Sequence, residues 1–282
     1  MKTITLAYSP DTDDAFMVRA MQERRVDLRG YEFVYTSADI QELNEAASQQ
    51  EYDVTAISVA AYPSLADDYL LMPVGASVGD DFGPAVIVRP DAPFQTVQEL
   101  AGKRIAVPGL RTSAFFAARG LIGPFTAVPL HFMKIGPAVA SGEVDAGILI
   151  HELQIDCERH GFRKLGDLGK LWSRHQDGLP LPLGANAIRK ALGAEAIRDI
   201  NAIYRESIEV GLATREETLR SALRASKADL DLALGDRYIS MYVNDRSLRF
   251  ERDALEAAAR LFRIGADAGL CPRVAATGWF VD

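Results

Sequence analysis

The sequence predicts an α/β protein of two lobes, and three observations carry that prediction. Short apolar runs at 54–57 and 146–150 are too apolar for edge strands and too short for buried helices. That is the pattern of parallel strands covered on both faces. Two stretches then share one grammar. Glu51-Tyr52-Asp53-Val54-Thr55-Ala56-Ile57-Ser58 and Glu143-Val144-Asp145-Ala146-Gly147-Ile148-Leu149-Ile150-His151 each read as a helix end, an Asp turn, an apolar strand and a polar residue at its carboxyl end. Finally, extended segments near 85–90 and 185–189 bracket a complete strand–helix set. The expected organisation is a discontinuous first lobe, 1–90 and 186–282 with C-terminal helices, and a second lobe, 91–185. The two extended segments would join them. A ligand is expected between the lobes, reached by Ser58 from one and His151 from the other.

Size and charge narrow the function. A chain of 282 residues accommodates one large domain or two smaller ones. Its formal net charge of −8 argues against nucleic acid as a partner, because neutralising phosphates takes a basic face. It also argues against docking on an anionic membrane. Cys157 and Cys271 lie far apart, in no metal-like spacing, and indicate no disulfide framework. The first residues enter a strand pattern directly, without the apolar core of a signal peptide. No segment is long and apolar enough to span a bilayer. Together these readings predict a cytoplasmic protein.

Along the chain, 3–8 reads as the first strand, followed by a turn at Ser9-Pro10-Asp11-Thr12-Asp13-Asp14 into a helix over about 13–24. The three aspartates fit helix capping and the helix dipole better than a calcium loop, which needs a following glycine and a distal Glu. A strand at 27–36 leads to a helix ending near 49, with Ile40, Leu43 and Ala47 on one face and Asn44 beside them. Strands are expected at 70–74, 85–89 and 104–107, and Asp91-Ala92-Pro93-Phe94 has the composition of an inter-domain connection. Thr96 and Glu99 match a capping box. A helix at 114–121, a strand at 128–133, a short helix at 137–141 and helix again at 152–160 complete the second lobe. Gly166-Asp167-Leu168-Gly169-Lys170 is no phosphate loop, lacking the earlier glycine and the hydroxyl after Lys. After 194 the pattern is helical. Ile197, Ile200, Ile203, Tyr204 and Ile208 form one stripe, and Leu255, Ala258, Phe262 and Ala266 another. Both read as core.

Three places carry chemistry. His151 follows a buried strand, at the end where open α/β sheets present ligands; the plain alternative is a histidine that merely ends the strand. A neutral imidazole suits general-base work, and Glu152 is placed either to orient it or to point away. Gly109-Leu110-Arg111-Thr112-Ser113 runs through a glycine turn into hydroxyl residues at a helix start. Free N–H groups there suit a carboxylate, with Arg111 adding charge, although Thr112 or Ser113 serves equally as an N-cap. Ser58 is the counterpart of His151 in the first lobe.

These motifs resemble the menaquinone-biosynthesis enzymes of the futalosine route, most closely the branch that forms 1,4-dihydroxy-6-naphthoate. The resemblance is carried by Ser9-Pro10 with Asp14 and Phe16, by Ser58-Val59-Ala60-Ala61-Tyr62, and by Val107-Pro108-Gly109 with 112–115. It continues through 142–152 with Ile150-His151-Glu152, Asp167-Leu168-Gly169, 179–184 and Tyr242-Val243-Asn244. It spans nearly the whole chain in the same order. It implies a type II periplasmic-binding-protein-like fold used as a cytoplasmic enzyme. The implied reaction is a carbon–carbon lyase step from cyclic dehypoxanthinyl futalosine to 1,4-dihydroxy-6-naphthoate. The resemblance further implies His151 as proton acceptor and substrate contacts at Ala56, Ile57, Ser58, Ser113 and Ala114. Thr112, Asn44, Leu183 and Tyr242 are placed with them, around a small carboxylated substrate. No metal or organic cofactor is implied. The sequence departs from the family's usual pattern at 11–15, at Ala56 where a lysine is common, and at Leu153-Gln154-Ile155-Asp156-Cys157. The competing expectations are chorismate dehydration in the same pathway and a non-enzymatic receptor for small carboxylated solutes.

Overall fold

The computed structural model describes residues 2–226, 230–275 and 278–280. The chain divides into two compact units. Unit 1 comprises Met1–Val78, Gly184–Glu251 and Val274–Asp282, and unit 2 comprises Gly79–Leu183 with Arg252–Arg273. The divisions therefore fall at 78/79 and 183/184, and 252–273 goes with unit 2 and not with the first lobe drawn from sequence. The Asp91–Phe94 stretch, which composition marked as a connection, lies inside unit 2. There the Arg163 guanidinium donates to the carbonyls of Ala92 and Phe94 at 2.8 and 2.9 Å.

The strands are β1 (Lys2–Tyr8), β2 (Tyr31–Ser37), β3 (Val54–Ser58), β4 (Tyr69–Leu71), β5 (Ser77–Gly79), β6 (Ala85–Val88), β7 (Arg104–Val107), β8 (Thr126–Pro129), β9 (Ala146–Leu149), β10 (Arg163–Asp167) and β11 (Leu181–Arg189). The helices are α1 (Thr12–Gln22), α2 (Ile40–Ser48), α3 (Ser113–Ile122), α4 (Phe132–Ser141), α5 (Leu153–Asp156), α6 (Leu168–His175), α7 (Ala194–Ala213), α8 (Arg215–Ser226), α9 (Leu232–Tyr242), α10 (Asp245–Leu248) and α11 (Arg252–Asp267). Among the described residues, no helix is long and apolar enough to cross a membrane.

The two sheets follow one plan. In unit 1 the order is β2-β1-β3-β11-β4, with β5 also against β11. β1 is parallel to β2 and β3, and β11 is antiparallel to β3 and β4. In unit 2 the order is β8-β7-β9-β6-β10. β7 is parallel to β8 and β9, and β6 is antiparallel to β9 and β10. Position for position these are the same sheet. The repeated grammar of the sequence is its local signature, and the aspartate in each copy has a structural task. Asp53 precedes β3, and its carboxylate accepts from Thr5 N and Thr5 Oγ1 at 3.0 and 3.1 Å while its own N–H donates to Thr5 Oγ1 at 2.9 Å. Asp145 precedes β9, accepts from Arg104 N at 2.9 Å, and donates its N–H to the Arg104 carbonyl at 2.9 Å. Each pins the start of its strand to the neighbouring parallel strand.

Each unit has its own core. In unit 1 the apolar stripe of α7 (Ile197, Ile200, Ile203, Tyr204, Ile208) packs with Ile4, Leu6, Phe16, Met17 and Val54, as its periodicity predicts. In unit 2, Ala85, Ile87, Ala106, Ile135, Val139 and Leu149 pack between sheet and helix. α11 packs on α3, but its buried face is Ala254, Ala257, Ala258, Leu261, Phe262 and Gly265. The expected stripe is thus shifted, with Leu255 and Ala266 only half-buried. Gly265 lies on this face, where a Cβ would stand 2.3 Å from the Phe116 ring; bare glycine lets the two helices close.

Two local expectations fail for identifiable reasons. The stretch expected as strand to 133 is strand only to Pro129, and α4 begins at Phe132, with Pro137 inside it and not at its start. The cap is His131, whose Nδ1 accepts from Met133 N at 3.3 Å, and histidine is not a residue that advertises an N-cap. β10 was not expected at all: Arg163-Lys164-Leu165-Gly166-Asp167 lacks an apolar run, and it is an edge strand half-buried along its length.

The pinning aspartates give a graded expectation. Asp53→Ala, losing several part-buried bonds, should cost about 2–3 kcal/mol, and Asp145→Ala, at a more exposed turn, about 1 kcal/mol. Urea denaturation followed by circular dichroism measures both. Gly147 in β9 yields another. A Cβ there would meet Ile135 Cγ2 at 2.6 Å and Val139 Cγ2 at 2.8 Å, so Gly147→Ala should destabilise by about 1–3 kcal/mol through overpacking, read in the same assay.

Candidate active site

In unit 2, β9 runs parallel to β7 and ends at Leu149, and His151 follows two residues later. Its backbone sits at φ 61°, a left-handed conformation that a non-glycine residue seldom adopts. The residue is buried. The strand therefore stops and turns sharply, and the His151 carbonyl accepts from Gln154 N at 3.3 Å, starting the short α5. Strain of this kind persists where surrounding structure holds it, and it concentrates at functional positions. The imidazole meets Phe132, the first residue of α4, in a T-shaped contact with centroids 4.3 Å apart. On Phe132 in turn stacks His131, at 4.5 Å. Neither Phe132 nor His131 was singled out from sequence, because the stretch read as strand. Glu152 continues the chain in helical conformation, and its carbonyl accepts from Ile155 N at 3.0 Å.

Still in unit 2, β7 leads through Pro108-Gly109 to α3. Thr112 is the N-cap: its hydroxyl accepts from Phe115 N at 3.3 Å and donates to the Gly109 carbonyl at 2.8 Å. Ser113 Oγ donates to the Leu183 carbonyl at 2.6 Å. Both hydroxyls are thus engaged by the protein, and the group at this helix start that suits an anion is its first-turn N–H set, at Ser113 and the buried Ala114. Leu183 enters through its backbone, as the partner that fixes Ser113.

Unit 1 holds Ala56, Ile57 and Ser58 at the carboxyl end of β3, all buried. Ser58 is clamped twice by Asn44 of α2. Its N–H donates to Asn44 Oδ1 at 2.8 Å and its Oγ accepts from Asn44 Nδ2 at 3.1 Å. Asn44 therefore acts as a buried support for the strand end. Tyr242 ends α9 with its ring 4.9 Å from Tyr238, and its carbonyl accepts from Ser247 Oγ at 2.7 Å.

The acidic turn after β1 caps in an unexpected way. Asp11 occupies the N-cap position of α1 without a side-chain capping bond. Instead Asp14 reaches back to accept from Ser9 N at 2.9 Å, and Asp13 accepts from Ser77 Oγ at 2.8 Å. Fully buried Tyr204 has its phenol pushed well above the ordinary value, first by burial and then by Asp14.

Burial likewise pushes the Cys157 thiol up, away from the nucleophilic thiolate. Asp167 caps α6 by accepting from Gly169 N and Lys170 N at 3.1 and 3.3 Å, so the Gly166–Lys170 stretch is a capped helix start. Among the described residues, no group of three or more His, Cys, Asp or Glu is placed to hold a metal ion.

Known proteins resemble this chain throughout its length. A family profile for menaquinone biosynthesis matches residues 4–267. A 1,4-dihydroxy-6-naphthoate synthase from Streptomyces coelicolor is 33% identical over 278 residues, covering 96% of this chain and 95% of its own. Among solved structures, an Archaeoglobus fulgidus protein superposes with a TM-score of 0.88 at 39% identity, over 95% of this chain and 98% of that one. The alkanesulfonate-binding protein SsuA of Xanthomonas axonopodis pv. citri, solved bound to MOPS, follows the same fold. Its TM-score is 0.73 at 16% identity, over 97% of this chain and 95% of that one. The fold is that of the periplasmic binding proteins, and the chain belongs to the menaquinone-biosynthesis family of enzymes.

Proposed function

We propose that this protein converts cyclic dehypoxanthinyl futalosine to 1,4-dihydroxy-6-naphthoate, with His151 as the proton acceptor. The observation that carries the reading is His151 itself: buried, held in a left-handed conformation just beyond a parallel strand, in a chain whose relative bears the synthase name. In this reading the neutral imidazole takes a proton from a substrate hydroxyl. The oxygen's electrons form a carbonyl, and the adjacent carbon–carbon bond opens in a retro-aldol sense. The substrate's carboxylate is held by the N–H groups opening α3, at Ser113 and Ala114, with Thr112 and Leu183 fixing that helix start. Ala56, Ile57 and Ser58, supported by Asn44, and Tyr242 complete the set of substrate contacts. We assign the protein to the cytoplasm, an assignment supported by its membership of a biosynthetic family.

The test is turnover of the cyclic futalosine derivative, with chorismate offered in parallel and products separated by chromatography and mass spectrometry. Release of the naphthoate from the first and no change in the second is expected. His151→Ala should lower the rate by about two to four orders of magnitude. Ser113→Ala, which loses one hydrogen bond to Leu183, should mainly raise KM, by an amount worth about 1 kcal/mol. Turnover by His151→Ala near the wild-type rate would overturn the assignment of the base. Dehydration of chorismate would overturn that of the substrate.

A further inference from the structure

We propose that Phe132 is a positioning residue that fixes the imidazole of His151 in its reactive orientation, an inference that rests on reading His151 as the proton acceptor. The β8–α4–β9 crossover brings the two residues together. β8 and β9 both run parallel to β7, so α4 starts at the carboxyl end of β8 and returns along the sheet before β9 climbs back to that same end. The first residue of α4 and the second residue past β9 meet there, and they are Phe132 and His151.

The distance of the helix from the strand is set by Gly147, whose missing Cβ lets Ile135 and Val139 settle onto β9. The axial position of Phe132 is set by His131, which caps α4 through Nδ1 and stacks on the Phe132 ring at 4.5 Å. On the other side, the backbone of His151 is fixed by its strained turn and the bond from Gln154 N. The imidazole can rotate about its side-chain torsions, and the χ2 well of histidine is broad. A phenyl ring 4.3 Å away at 68° sterically blocks that rotation. A base must lie within hydrogen-bond reach of the proton it takes, and small misplacements are costly in rate.

The experiment compares Phe132→Leu, Phe132→Tyr and His151→Ala in the turnover assay and by proton NMR of the histidine ring signals. The chain has four histidines, and the His151 signals are those missing from His151→Ala. Phe132→Leu keeps an apolar side chain but no ring. It should lower kcat by about ten- to a hundredfold with KM little changed. Phe132→Tyr, which restores the ring, should recover wild-type kcat. In wild type the His151 ring protons should be shifted by the neighbouring phenyl current, and in Phe132→Leu they should move toward the positions of an exposed histidine.

Wild-type kcat in Phe132→Leu, or His151 signals that do not move, would overturn the proposal. So would a fall in kcat that Phe132→Tyr does not rescue, since that marks Phe132 as packing only. If His151→Ala instead turns over normally, the base assignment itself falls. The NMR comparison reports on the contact independently of that result.

Discussion

Two carboxylates set the register on which both halves of this molecule depend. Asp53 and Asp145 each stand one residue before a short parallel strand and hold the backbone of the strand beside it. Strands of four or five residues have few ladder bonds to define their pairing. A slip of one residue would send every side chain to the opposite face. Ser58 and His151 lie at the far ends of these two strands, so the carboxylates at one end fix what is presented at the other. The same charged turn recurs in both sheets, which makes the two units copies of one design.

Much of this design was legible in the sequence, since its signals are local and strong. The apolar runs of β3 and β9, the Asp turns and the stripe of α7 each announce themselves within a few residues. What escaped was decided by tertiary partners. α4 starts at a histidine cap and carries a proline in its interior, and both features run against the residue preferences by which helices are recognised. β10 has largely polar residues and no alternation, and it pairs along the open edge that β6 offers. The buried face of α11 includes Gly265, against which the Phe116 ring packs, a fit no periodicity encodes.

At the candidate site residues of each unit, residue types were legible and their divisions of labour were not. His151 after a buried strand and hydroxyls at a helix start are patterns with known chemistry. That Thr112 and Ser113 spend their hydroxyls on Gly109 and Leu183, and Asn44 its carboxamide on Ser58, depends on partners 3 to 70 residues away. Within each unit, these side chains hold the backbone of the strand end or helix start beside them. In the acidic turn, Asp14, which the family motif shares, closes on Ser9, and Asp13, which departs from it, closes on Ser77, tying both into the framework of unit 1.

The shared sheet plan has a consequence for how the chain must assemble during synthesis. In unit 1 the antiparallel strand β11 lies between β3 and β4, yet more than a hundred residues of the other unit are made before it. As the chain leaves the ribosome, β1, β2 and β3 can pair early, but β4 has no place to dock until residue 189 has emerged. Unit 2 in turn waits for α11 to cover α3. Neither unit is a contiguous piece of chain, so both reach their final packing late, through contacts distant in sequence. Such topologies fold slowly and expose unpaired strand edges on the way. The nascent protein is therefore most open to misassociation over the interval between translation of β3 and of β11.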